Sequence, residues 1–284
     1  MAYQVKFVGK LRFTAKTPVH IGGAGEAATL YALKLGPNRF LIPATTWKGA
    51  FRNIAERLAP TTQMNALEKL AVDKVTLSEN PRSSVRDLLQ DFLNSVKGGD
   101  SQFFKPEEVK RVLASVGYSE EELSKLEDPT LALTEFLAYH CPIGRLFGNQ
   151  VRAGNVRFTD TIFYSSGQYR PGVGIDRKTL TVKEKALFQI ETSEAGVPVT
   201  LLILGEVDEP GSTPYKLLAS TLEFVKEVGL NVGGRKSAGL GLLQLEHAEF
   251  HTVKLKEDKG GIGLGNPLKT PPLDLENFTK LLRG

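Results

Sequence analysis

The stretch Val232–Gly241, VGGRKSAGLG, constrains this chain more than any other part of it. It follows a segment at helical spacing, Tyr215, Leu218, Leu222 and Val225, stopped by Gly229, and it precedes an apolar, strand-like segment, Leu240–Val253. Helix must therefore pass to strand through a tight turn, for which glycine supplies positive φ and close backbone approach. Gly233, Gly234 and Gly239 enclose Arg235, Lys236 and Ser237. Two cations, a hydroxyl and unencumbered backbone N–H groups at one turn point to a phosphate. A hairpin that merely bends has the same glycines, so this stretch alone leaves both readings open.

A second site of the same kind lies near the other end. HIGGAGEA begins at His20, with Gly22 and Gly23 ending a strand, and IPATTWKGAFR occupies 42–52. Pro43 forces an extended approach, and Thr45 or Thr46 is placed to cap a helix. Trp47, Ala50, Phe51, Ile54 and Leu58 follow at helical spacing and should face a core. Lys48 and Arg52 fall four apart on another face, close to the positive end of the helix dipole, which suits phosphate. A solvated basic face on an ordinary amphipathic helix is the alternative.

Charge is distributed unevenly. The net charge is only +4, yet residues 1–60 carry +7, 61–140 carry −5, 141–190 carry +5 and 191–284 carry −3. The two basic segments favour a nucleic-acid-binding face, with acidic small substrates as the other option. No basic amphipathic helix points to a membrane surface, and no apolar run approaches spanning length. MAYQVKFVGK reads as a strand and not as a signal peptide. One cysteine excludes an intramolecular disulfide and fits a reducing, cytoplasmic setting.

Val5, Phe7, Leu11, Phe13 and Ala15 alternate with polar residues, which predicts a strand with one buried face. Residues 61–140 read as an acidic helical insertion. Leu88, Leu89, Phe92, Leu93 and Val96 form a stripe there, Pro106 opens a helix, and Ser119 with Glu122 makes a capping box. Asn155–Tyr164 reads as one strand with Val156, Phe158 and Ile162 inside. Residues 165–183 read as a protruding loop or hairpin. Ala186–Ile190 and Val197–Leu204 flank SEAG as a hairpin would, and 256–284 reads as a tail. Removing insertion and loop leaves β-α-β-β-α-β, so the fold class is α+β. The expectation is a ferredoxin-like (RRM-like) palm over 1–60 and 141–255. The aromatic stacking signature of RNA-recognition modules is absent from its strands.

The ordered set HIGG (20–23), IPATTWKGAFR (42–52), RLFGN (145–149), AGNVRFTD (153–160), GIDRKTLTVKEKALF (174–188) and VGGRKSAGLG (232–241) resembles the RAMP superfamily. Within it the resemblance is to backbone subunits of type III (Csm/Cmr-type) CRISPR effector complexes. It implies a subunit that stacks head to tail with other effector subunits along guide CRISPR RNA, facing complementary target RNA, with no cofactor. It also implies a thumb hairpin at about 166–184 that kinks the guide. Candidate RNA contacts are His20, Gly22, Gly23, Lys48, Arg52, Arg145, Arg170, Arg177, Lys178, Thr179, Lys183, Gly233, Gly234, Arg235, Lys236, Ser237 and Gly239. Ile175 and Leu180 are candidate wedges against bases.

The chain departs from that pattern in places. Some relatives have Cys-Pro-x-Cys, whereas CPIG offers Cys141 with Gly144 at the second position, and His140 with Cys141 is too little for zinc. Relatives that cut target RNA bear an aspartate about ten residues past HIGG, where Lys34 stands here; it is read as an RNA contact or a solvated side chain. Glu26 is the only carboxylate of that stretch. His20 admits a general-base reading and a loop hydrogen-bonding one. The expectation is a non-catalytic guide-binding subunit. The alternatives are a RAMP endoribonuclease that cuts target RNA or processes repeat RNA, and a phosphate-binding metabolic enzyme. The last needs paired carboxylates or a metal cluster, which the motifs do not supply.

Overall fold

The computed structural model describes residues 5–26, 29–175, 178, 182–258, 261–264 and 271–284. In chain order its elements begin with β1 (Val5–Ala15), β2 (Gly22–Glu26), β3 (Thr29–Ala32) and β4 (Arg39–Ile42). Helices α1 (Ala44–Leu58), α2 (Ala66–Ala71), α3 (Pro81–Ser84), α4 (Leu89–Val96), α5 (Pro106–Val116), α6 (Glu120–Ser124), α7 (Pro129–His140) and α8 (Pro142–Phe147) follow. Strands return as β5 (Val156–Phe158), β6 (Thr161–Tyr164), β7 (Gln168–Ile175), β8 (Val182–Thr192) and β9 (Pro198–Val207). The chain finishes with α9 (Thr213–Val228), β10 (Leu230–Asn231), β11 (Leu242–Asp258), β12 (Gly261–Leu264), β13 (Leu273–Asp274) and α10 (Leu275–Arg283). The fold is mixed α+β with mainly antiparallel sheets.

Two compact units are present. The first comprises Met1–Phe51, Arg157–Asp208 and Thr221–Lys280; the second comprises Arg52–Val156, Glu209–Ser220 and Leu281–Gly284.

In the first unit β1 is central, antiparallel to both β11 and β9, and the sheet runs β10–β11–β1–β9–β5. The period of two in β1 sends Phe7, Leu11 and Phe13 inward and Lys6, Lys10 and Arg12 outward. Inside, Trp47 of α1 is fully buried against Phe13, and its indole N–H donates to Thr161 Oγ1 at 3.1 Å. Phe250 stacks on Phe278 of α10 at 3.8 Å, so part of the segment read as a tail is core. Gly9 makes room for that stack, since a Cβ there would stand 2.6 Å from the Phe250 ring.

Four local expectations are corrected. Asn155–Tyr164 is two strands: β5 joins the large sheet, while β6 pairs with β4. The break at Asp160 lets its carboxylate accept the Ala44 N–H at 2.7 Å, so Asp160, and neither Thr45 nor Thr46, caps α1. It also changes the side-chain parity: Thr161 and Phe163 face inward, and Ile162 is exposed. Finally, β8 and β9 do not pair across SEAG. β8 belongs to the sheet β2–β3–β8–β7, and β9 pairs with β1. Ser193 N–H to Val19 O and Gly196 N–H to Ala15 O hold the crossing.

The second unit is built on α7, whose Ala132, Leu133, Phe136 and Leu137 are fully buried. Phe92, Phe104 and Phe136 meet edge to face or tilted within 5.8 Å. Pro106 opens α5, and the Ser119–Glu122 capping box opens α6. Cys141 is buried, and its sulfur accepts the Gly144 N–H at the start of α8.

Candidate nucleic-acid interface

The turn from α9 to β11 is fastened to the chain leaving β1. Gly234 N–H donates to His20 O at 3.0 Å and Gly241 N–H to Pro18 O at 2.9 Å. Gly233 has φ 78°, and a Cβ there would collide with His20 O, so only glycine fits. The tip that results, Arg235 to Gly239, is exposed throughout. It holds two cations and the Ser237 hydroxyl on a rigid base.

His20 serves that base. The residue is 5% exposed, and its Nδ1–H donates to Glu191 O at 2.7 Å, which assigns the proton because a carbonyl only accepts. In this setting His20 fastens the loop. Gly22 and Gly23 lie exposed in β2, paired with β3.

Two residues that the sequence reading missed complete the site. The Arg235 guanidinium lies over the Phe188 ring at 4.6 Å. Phe188 stands opposite Gly172 in the β7–β8 register, and a Cβ on Gly172 would overlap the ring. Glu191, 2% exposed, accepts Ala32 N–H at 3.0 Å and the Lys34 ammonium at 2.5 Å. Lys34, 28% exposed, is thus ion-paired with Glu191 and not a simply solvated side chain. A carboxylate so deeply enclosed needs a cation beside it. Phe188 closes the GIDRKTLTVKEKALF motif, which could have drawn notice to it; no local signal marks Glu191.

The remaining candidates are spread out. Lys48 is exposed on α1, and Arg170 is exposed on β7 opposite Ile190. Lys178 is exposed. Arg177, Thr179 and Leu180 lie outside the described residues, as do the side chains of Lys183, Ile175 and Glu26. In the second unit, Arg52 donates to Glu56 at 2.8 Å and to Gly148 O at 3.0 Å. Arg145 packs over the Tyr215 ring at 5.8 Å with Glu209 at 4.0 Å. Both are largely engaged within their own unit.

On the outward face of the large sheet the cations are partly paired with carboxylates. Lys6 pairs with Glu206, Lys10 and Arg12 with Glu249, and Lys16 with Glu246. Part of the basic charge counted in residues 1–60 is therefore offset by carboxylates from later in the chain. Among the described residues no three His, Cys, Asp or Glu side chains converge as a metal site would require.

These motifs sit within one continuous match: the sequence model of the RAMP superfamily covers residues 12–244. The chain belongs to the RAMP superfamily. No curated protein matches it. Membership makes this RAMP protein CRISPR-associated and RNA-binding in general function, with CRISPR RNA and effector subunits as its general partners. Among the described residues no helix is long and apolar enough to cross a membrane.

Proposed function

We propose that this RAMP protein is a non-catalytic guide-RNA-binding backbone subunit of a type III CRISPR effector complex, gripping RNA by its phosphates. The observation that carries the reading is the exposed cationic tip Arg235–Gly239, whose base is fastened at His20. Contacts of that kind follow a backbone of any sequence, because phosphates carry no base identity. In chain order β1, α1, β5, β9, α9 and β11 supply βαββαβ. Their sheet order puts the first strand between the last and the third, with the second beside the third, in keeping with a ferredoxin-like palm. The β7–β8 hairpin, with Arg170 and Lys178 exposed, is the proposed thumb, and neighbouring subunits stack head to tail along the guide. The outward face of the large sheet, lined by Lys, Arg, Glu and aliphatic side chains, is a poor base-stacking platform. Lys34 bound to Glu191 offers no metal ligand, which favours a subunit that does not cut.

Fluorescence anisotropy with two unrelated single-stranded RNAs tests the grip. Arg235→Ala/Lys236→Ala should weaken both RNAs alike. The slope of log affinity against log salt should fall by about 1.4, at about 0.7 per phosphate contact. Folded variants that bind as the parent does would exclude the tip. For catalysis, the assembled complex is given guide-paired RNA and a divalent metal. Cutting that is lost on Glu26→Ala would favour the endoribonuclease reading.

A further inference from the structure

Helices α4, α5 and α6 of the second unit border an open groove of about 1090 Å³ that plays no part in the site above. Its floor is apolar: Leu93, Val96, Ala114, Leu123 and Leu126 line it. Four of these are half-buried and Ala114 is exposed, so the floor is incompletely covered by the chain itself. α5 is two-sided. Val109, Val112 and Leu113 are buried in the unit, while Glu107, Lys110, Arg111 and Ala114 present an i, i+3, i+4, i+7 stripe to the groove. Tyr118 forms part of the wall, its hydroxyl donating to Glu135 at 2.8 Å.

Charge identifies the occupant. Segment 61–140 is acidic overall, yet the lining reverses that sign: Lys97, Lys110, Arg111 and Lys125 face two carboxylates, Glu107 and Glu120. Arg111 and Lys125 have partners on their own helices in Glu108 and Glu121. Lys97 and Lys110 are exposed, and among the described residues neither has an ion pair. A small molecule would leave much of so large and open a groove wet. An RNA strand would satisfy the ammonium groups but leave the aliphatic floor in water. A helix about 10–12 Å across with an apolar stripe flanked by carboxylates satisfies both floor and rim.

We propose that this groove docks an amphipathic helix of another protein, its apolar residues at i, i+3 or i+4 and i+7 seated on Leu93, Val96 and Leu123 and its Asp or Glu side chains paired with Lys97 and Lys110.

The test is selection of a displayed library of helix-favouring peptides on the full chain, with counter-selection on Lys97→Glu/Lys110→Glu. Enriched peptides should carry the apolar stripe with flanking acids. A synthetic copy of the most enriched one should bind about tenfold more weakly to that variant and to Ala114→Glu, which adds a carboxylate at an exposed helical position. Circular dichroism melts of the variants should match the parent. Absence of a discriminating peptide, or enrichment of peptides without acids, overturns the proposal. So does a tenfold loss of RNA affinity on Lys97→Glu/Lys110→Glu, which would make the groove part of a nucleic-acid track. The fate of RNA binding at Arg235 and Lys236 is read separately, so the two proposals can fail independently.

Discussion

The ammonium of Lys34 is held by the carboxylate of Glu191, a residue 157 positions away and 2% exposed. Glu191 also takes the Ala32 N–H, and its backbone carbonyl takes the His20 ring N–H. One residue thus ties the β2–β3 hairpin to the strand that supports the glycine turn. Lys34 stands about where the resemblance places a cleaving acid. The local chemistry there is an ion pair whose carboxylate is buried and whose ammonium is partly exposed.

Glu191→Gln keeps an acceptor for Ala32 N–H but strips Lys34 of its counter-charge. Breaking a buried pair costs about 3–5 kcal/mol, and the partial exposure of Lys34 places this case at the low end. Lys34→Met/Glu191→Gln should recover at least half of the loss, because the unpaired charge is gone. Urea unfolding of both single variants and the double variant measures this. Equal stability of Glu191→Gln and parent would show that the pair is not coupled to the fold.

Gly233→Ala and Gly239→Ala separate backbone strain from close approach. Both residues have φ near 80°, where a side chain costs about 1–2 kcal/mol. Only at Gly233 does a Cβ meet backbone, namely His20 O. Gly233→Ala should therefore destabilise clearly more than Gly239→Ala and also weaken RNA binding by displacing the tip. Thermal melts and anisotropy check it; equal effects would mean that the loop is not fastened at His20.

Phe188 orders Arg235 without being a cation itself. An exposed cation–π contact is worth about 0.5–1 kcal/mol, so Phe188→Leu should weaken RNA binding about two- to fivefold. In an Arg235→Ala background the same change should have little further effect. An undiminished effect there would give Phe188 a role apart from Arg235.

Acid should destabilise the second unit through His140. Burial lowers its pKa below the ordinary 6.5; Glu108 at 3.8 Å opposes that, and Arg111 and Arg152 reinforce it. The unfolded chain then binds the proton more readily than the folded one. Stability is present above pH 6.5 and declines as pH falls from there through the lower folded value. Melting temperature should drop more steeply over that window in the parent than in His140→Phe. Parallel profiles would exclude His140 as the cause.

Several elements were legible because their signals are local. Alternation from Val5 to Ala15, helical spacing from Trp47 to Ile54, the Ser119–Glu122 box and Gly229 each specify a strand, a helix or an end within a few residues. The elements and the glycine turn follow from such patterns. The same local patterns misplaced the cap of α1 and merged β5 with β6. A cap is made by whichever acceptor arrives, and Asp160 arrives from 116 positions away.

The sequence by itself determined that this is an α+β chain with a glycine-rich cationic turn after its last long helix, because backbone freedom and hydrophobic period are properties of neighbouring residues. Only the tertiary structure decided which cations remain available. Arg12 meets Glu249 across 237 positions and Lys34 meets Glu191 across 157, while Lys236 and Lys48 stay exposed. Coulomb energy depends on distance in space and on enclosure, and neither is encoded by spacing along the chain.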